Sequence, residues 1–130
     1  MTHDDKELLL QDLSARLPYG VLCNIGLKYP LQLQRIFVDR LGGILLDFYE
    51  DGDNYQVYLS EVKPYLRPMY PMTEEEADEF AEFDIYADGE YIIPNYQAID
   101  WLNKHHFDYR GLIEKGLAIK APEDMYKIII

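Results

Sequence analysis

Apolar spacing divides the chain into three stretches: helix-like to Leu17, β-like from Tyr19 to Val62, and helix-like again beyond Thr73. In the first, Leu9, Leu10, Leu13 and Leu17 form one stripe, widened by Leu8, which predicts a helix over roughly Asp4–Leu17. Thr2 or Asp4 opens it, Asp4, Asp5 and Glu7 suit its positive end, and Pro18 stops it. The second stretch holds strand candidates at Gly20–Ile25, Leu31–Asp39, Ile44–Glu50 and Tyr55–Ser60. Tyr55, Val57 and Leu59 alternate with Gln56, Tyr58 and Ser60, as in a half-buried strand. Asp51-Gly52-Asp53-Asn54 reads as a hairpin loop and Gly42-Gly43 as a further turn. Strands this short and closely spaced suggest a small bent antiparallel sheet or an SH3-like barrel.

Glu61–Met72 carries Pro64, Pro68 and Pro71, which bias it towards an extended connector and a boundary. Thr73 with Glu76 is a capping box, opening a helix to about Phe83 with Ala77, Phe80 and Ala81 on one face. Asp84–Pro94 reads as two short strands around Asp88-Gly89. Asn95 can cap a helix in which Ala98, Ile99 and Leu102 share a face flanked by Trp101, while Asp100, Asn103 and Lys104 point elsewhere. That helix ends near Lys104 or His105. Asp108 reads as a second N-cap, Tyr109–Lys115 as a second short helix, Gly116 as its left-handed terminator and Leu117–Ala121 as an extended tail. The expected fold is therefore α+β: an N-terminal helix, a bent sheet and a C-terminal helical pair. Residues 1–72 and 73–130 are expected to pack as one compact domain.

The formal net charge of −12 disfavours nucleic acid and anionic membranes as partners, because both repel an acidic surface at long range. Most of the imbalance lies in Thr73–Glu90, which holds nine acids and no Lys or Arg. The region after it is balanced, so the helix–turn–helix reading of Asn95–Lys115 lacks a basic footprint. Twelve tyrosines favour strands and contact surfaces. The N-terminus lacks a signal-peptide pattern and no apolar run approaches the ~18–20 residues of a membrane span, so a cytoplasmic setting is expected.

Candidate chemistry is sparse. The single cysteine, Cys23, excludes an internal disulfide and reads as a buried small hydrophobe. His105, His106 and Asp108, with Asp100 upstream, offer imidazole and carboxylate ligands for a transition metal, but adjacent histidines diverge and Asp108 is already a cap. Ser14, Ser60, Thr2 and Thr73 lie in no nucleophile motif, and no phosphate-binding glycine loop occurs. No catalytic residue is assigned, and neither a cofactor nor a metal is expected.

The phrases LLLQDLSARLPYGV, EVKPYLRPM followed by MTEEE, and IDWLNKHHFDYRGLIEKGLAIKAPEDMY resemble a family of uncharacterised proteins of gut Bacteroidetes genomes and their mobile elements. The likeness covers both ends and the proline strap, and Ile25–Asn54 much less. It implies a bacterial setting linked to mobile elements and no mechanism.

Three functions are carried forward. The first is a non-enzymatic interaction or accessory module that contacts another protein through its Tyr-rich β part or its acidic Glu74–Glu82 helix, with Glu74, Glu75 and Asp78 as contact residues. The second is an acidic inhibitor that mimics nucleic acid and blocks a DNA-handling or defence enzyme. The third is a metal-dependent enzyme centred on His105, His106 and Asp108.

Overall fold

The computed structural model describes residues 1–83, 86–88, 91–93 and 96–126. Helix α1 runs His3–Arg16, with Thr2 as N-cap and Asp5 completing a reciprocal capping box. A 3-10 turn at Leu17–Tyr19 follows. Strands β1 (Leu22–Asn24), β2 (Leu31–Val38), β3 (Ile44–Glu50), β4 (Asp53–Tyr58) and β5 (Lys63–Leu66) come next, with a second 3-10 turn at Leu59–Glu61. Helix α2 spans Glu74–Ala81, β6 Tyr86–Asp88, β7 Tyr91–Ile93, α3 Tyr96–Lys104 and β8 Ile119–Lys120. The α+β class holds. Asn95 as a cap and the turn at Gly89 lie outside the described residues.

Six strands form one curled sheet in the order β4-β3-β2-β1-β5-β8, a half-barrel, while β6 and β7 pair separately. Among the described residues β4 and β8 are its two edges, so the SH3-like closure is not seen. The sheet is also mixed rather than antiparallel, because β8 returns parallel to β5. The β3–β4 loop is two residues, not four. Asp51 (φ 47°) and Gly52 (φ 85°) both have positive φ, the type I′ geometry that matches strand twist, and this draws Asp53 and Asn54 into β4.

The proline strap is part of the sheet. Lys63 and Pro64 pair with β1, and Tyr65 and Leu66 pair with β8. The two neighbours use different halves of β5, which lets a proline sit in an interior strand. Alternation survives there, with Val62, Pro64 and Leu66 buried.

One hydrophobic cluster joins Leu9 and Leu13 of α1 to Val21, Leu33, Leu46, Phe48, Val62 and Leu66 of the sheet region, and to Leu112 and Leu117. The expected helix over Tyr109–Lys115 is a run of turns. Gly111 at φ 74° interrupts it, and Asp108 accepts from Leu112 and Ile113 N–H at 2.8 and 2.9 Å, two positions later than an N-cap would. Its end still closes as expected: Gly116 is left-handed, and Leu117 N–H reaches Leu112 O. No helix among the described residues is long and apolar enough to cross a membrane.

Candidate functional site: a buried charge cluster, a cationic cleft and an open sheet face

Leu8, Leu10 and Leu17 of the expected stripe pack against the core, but the fully buried residues of α1 are Leu9, Asp12, Leu13 and Arg16. Asp12 and Arg16 are both completely buried. Arg16 Nε donates to both Asp12 oxygens at 3.0 Å, and Arg110 Nη1 donates to Asp12 Oδ1 at 2.8 Å. Arg16 Nη2 donates to the Phe107 carbonyl, while its Nη1 is a buried donor without a partner. Both guanidinium groups stack on the Tyr109 ring. One carboxylate thus holds two cations inside the protein, a geometry that ties α1 to the segment after α3.

That segment turns at His106, which occupies the left-handed position ending α3 (φ 60°) where glycine is usual. Its N–H reaches Asn103 O and the next N–H reaches Leu102 O. The ring is buried and stacked on Tyr126, with centroids 4.0 Å apart. Its Nε2 lies 3.0 Å from the Tyr19 carbonyl, which can only accept; Nε2 therefore carries the proton and Nδ1 is a bare acceptor, buried and without a partner. Burial first, then the nearby Arg16 cation, lowers its pKa to about 4.

This pKa has a consequence for stability. The unfolded chain takes up a proton near pH 6.5 that the folded ring refuses until about 4. Stability is therefore full above pH 6.5 and falls as pH drops towards 4, by an amount on the order of 3 kcal/mol. Urea melts between these limits measure the slope. His106→Asn, which tolerates positive φ, should flatten it; an equal slope in the variant would refute the assignment.

His105 diverges from His106. It contacts the Trp101 ring at 4.4 Å, and its Nδ1 is 4.0 Å from Glu76, with burial lowering its pKa. Asp108 has both oxygens engaged by backbone N–H groups. The three residues considered as metal ligands are therefore not brought together, and the described residues contain no group of three or more His, Cys, Asp or Glu able to hold a metal. Cys23 is fully buried, which pushes its thiol pKa up, with Asp12 adding to the shift. It matches the expected small hydrophobe and is a poor nucleophile. Asn103, expected to point away from the core, is buried and accepts from the Tyr109 hydroxyl at 2.9 Å.

Helix α2 turns a different face inward than its apolar residues suggest. Ala77 and Ala81 are exposed, whereas Glu76, Phe80 and Phe83 are partly buried. Arg67 draws Glu76 in by a bidentate pair, both bonds at 2.7 Å, and its hydrogen bonds hold the Glu76 pKa at about 2. Trp101 Nε1 donates to Glu79 at 2.9 Å, and the indole packs on Phe80, Phe83 and Phe107. Glu74, Glu75, Asp78 and Glu82 remain exposed.

A cleft of about 490 Å³ opens beside His106, between the Pro18–Gly20 turn, Gln32, Arg67, Lys104 and Tyr126. The face of β2–β4 turned away from the hydrophobic cluster carries aligned cross-strand rows. Phe37, Leu45 and Tyr58 form one, Arg35, Asp47 and Gln56 the next, and Tyr49 sits opposite Asn54. Arg35 pairs with the buried Asp47 at 2.8 Å and stacks on Phe37. Tyr49 and Tyr58 are each about half exposed. Sequence reasoning found the tyrosines but missed the charge cluster; its one local signal is Asp12 and Arg16 four apart on the stripe that holds Leu9 and Leu13. No protein-family model, curated protein or solved structure matches the chain.

Proposed function

We propose that this protein is a non-enzymatic interaction module that binds a basic protein partner through the outer face and free edge of β2–β4. The observation that carries the reading is the Phe37–Leu45–Tyr58 row with Tyr49 beside it, lying next to β4, a strand whose far edge is unpaired among the described residues. An edge strand can take up an added strand, and flanking aromatic rings supply contact area with a polar tip. Residues 31–58 hold five acids (Asp39, Asp47, Glu50, Asp51 and Asp53) against Arg35 and Arg40, which makes a basic partner the complementary choice. A bacterial, cytoplasmic setting belongs to this reading through the resemblance described above.

The test places a photo-crosslinking residue at position 58 or, as a control, at position 96 in host cells, and then titrates the captured protein with purified material. Tyr49→Lys with Tyr58→Lys, which removes both rings and repels a basic partner, should weaken binding at least tenfold while leaving the melting temperature nearly unchanged, since both side chains are half exposed. Equal capture from both positions, or unchanged affinity in the double variant, would sink the reading.

The exposed acids Glu74, Glu75, Asp78 and Glu82 favour a second reading, the nucleic-acid-mimicking inhibitor. In that case binding to a DNA-handling enzyme falls steeply with salt, responds to Glu74→Lys with Asp78→Lys, and ignores the tyrosine substitutions.

A further inference from the structure

The cleft beside His106 differs in charge from the rest of the chain. Acids outnumber Lys and Arg by 24 to 12 overall, yet among the described residues the cleft lining includes Arg67, Lys104, His105 and His106 and no carboxylate. Glu76 stands behind Arg67 and neutralises it, so the uncompensated charge is that of Lys104, which is exposed and makes no ion pair among the described residues. The walls are fixed by hydrogen bonds. Tyr126 Oη accepts from Leu22 N–H at 2.9 Å and donates to Tyr65 O at 2.7 Å, and the His106 ring is held by the Tyr19 carbonyl. Flat surfaces line it too, from Tyr19 and from the stacked His106–Tyr126 pair. Its volume lies within the few-hundred to ~1,000 Å³ range of small-molecule sites.

His106 adds an independent observation. A side chain in the left-handed position is strained, and glycine would avoid that strain at this helix end. The fold instead keeps an imidazole there, on the cleft wall, with its Nδ1 acceptor unsatisfied. Strain and an orphaned polar atom at one residue are the signature of a site rather than of packing alone.

We propose that this cleft binds a small ring-bearing organic anion, a planar group carrying one phosphate or carboxylate. Lys104 neutralises the anionic group, Tyr19 and Tyr126 contact the ring, and Gln32 offers an amide at the cleft wall. Gln32 of β2 borders the cleft, but Lys104, Tyr19 and Tyr126 lie outside the cross-strand rows of β2–β4, and the site stands whether or not those rows bind a partner.

The test uses the full chain near neutral pH and follows amide NMR shifts and calorimetry. Uridine monophosphate probes the phosphate source and 4-hydroxybenzoate the carboxylate source, with uridine and inorganic phosphate as single-feature controls. At least one of the two anions should bind with sub-millimolar Kd, perturbing Gly20, Gln32 and Lys104–His106, and each control should bind at least tenfold more weakly. Lys104→Glu should lower affinity at least tenfold without changing the melting temperature, because the side chain is exposed. Gln32→Ala, also at an exposed position, gives a second and smaller loss. Failure of both anions to bind, shifts confined to other residues, or full binding by Lys104→Glu would each overturn the proposal. Inorganic phosphate binding as tightly as uridine monophosphate would overturn it as well, by removing the role of the ring.

Discussion

Asp12→Ala is expected to cost about 3–5 kcal/mol of folding stability, a large share of the roughly 5–15 kcal/mol a domain possesses. The expectation rests on where the charge sits. Asp12 and Arg16 are both inaccessible to solvent, and Arg110 closes on the same carboxylate. Removing the anion leaves Arg16 as a buried cation whose remaining strong partner is the neutral Phe107 carbonyl. Removing both members tells a different story: Asp12→Leu with Arg16→Met keeps the volume and deletes both buried charges. The double variant should recover a good part of the loss, held back by the Phe107 carbonyl it orphans. Urea denaturation of Asp12→Leu, of Arg16→Met and of the double gives the coupling energy directly. A single-variant loss below about 1 kcal/mol would mean that water reaches the cluster.

The second large effect is expected at Phe107. Its ring is fully buried between the Trp101 indole, 5.6 Å away and nearly parallel, and the Arg67 guanidinium 4.2 Å from its centroid. Its backbone is equally committed, with N–H to Leu102 O and carbonyl to Arg16. Phe107→Ala leaves those backbone bonds possible but opens a cavity, for an expected cost of about 3–5 kcal/mol. Trp101 is the sole tryptophan, so its emission reports the same event. The variant should show a red-shifted native spectrum together with a lower denaturation midpoint, and Phe107→Leu should fall between. An unshifted spectrum with near-native stability would contradict the stacked arrangement.

Elements defined by neighbours in sequence were legible; those defined by distant partners were not. The apolar stripe with Pro18 locates α1, the capping box at Thr73 locates α2 and Asp51-Gly52 locates the hairpin, because each signal acts on backbone and side chains close by in sequence. The inward turn of Asp12 and Arg16 was hidden, since an acid and a base four apart on a helix normally form a solvated surface pair. Only Arg110 and the Phe107 carbonyl make burial tolerable. Helix α2 misled in the same way: its alanines marked an apolar face, but Arg67, from the strap, selected the face bearing Glu76. Prolines argue against interior strands, so the sequence of β5 predicts a connector, and only the divided pairing with β1 and β8 admits a strand there. Of the cleft, His105 and His106 stand out in the sequence only as adjacent imidazoles, whereas the fold sends them to different partners.

The Asp12–Arg110 bond also bears on how the chain is made. Its partners are 98 residues apart in sequence. At about 5–20 residues per second, α1 emerges on the order of 5–20 s before Arg110 is added. Throughout that interval Leu9 and Leu13 have no finished core to enter, and Asp12 has only its helical neighbour Arg16. The polar pair in the stripe thus keeps the nascent helix more soluble than a fully apolar stripe would, and only the late arrival of Arg110 and Phe107 fixes it in place.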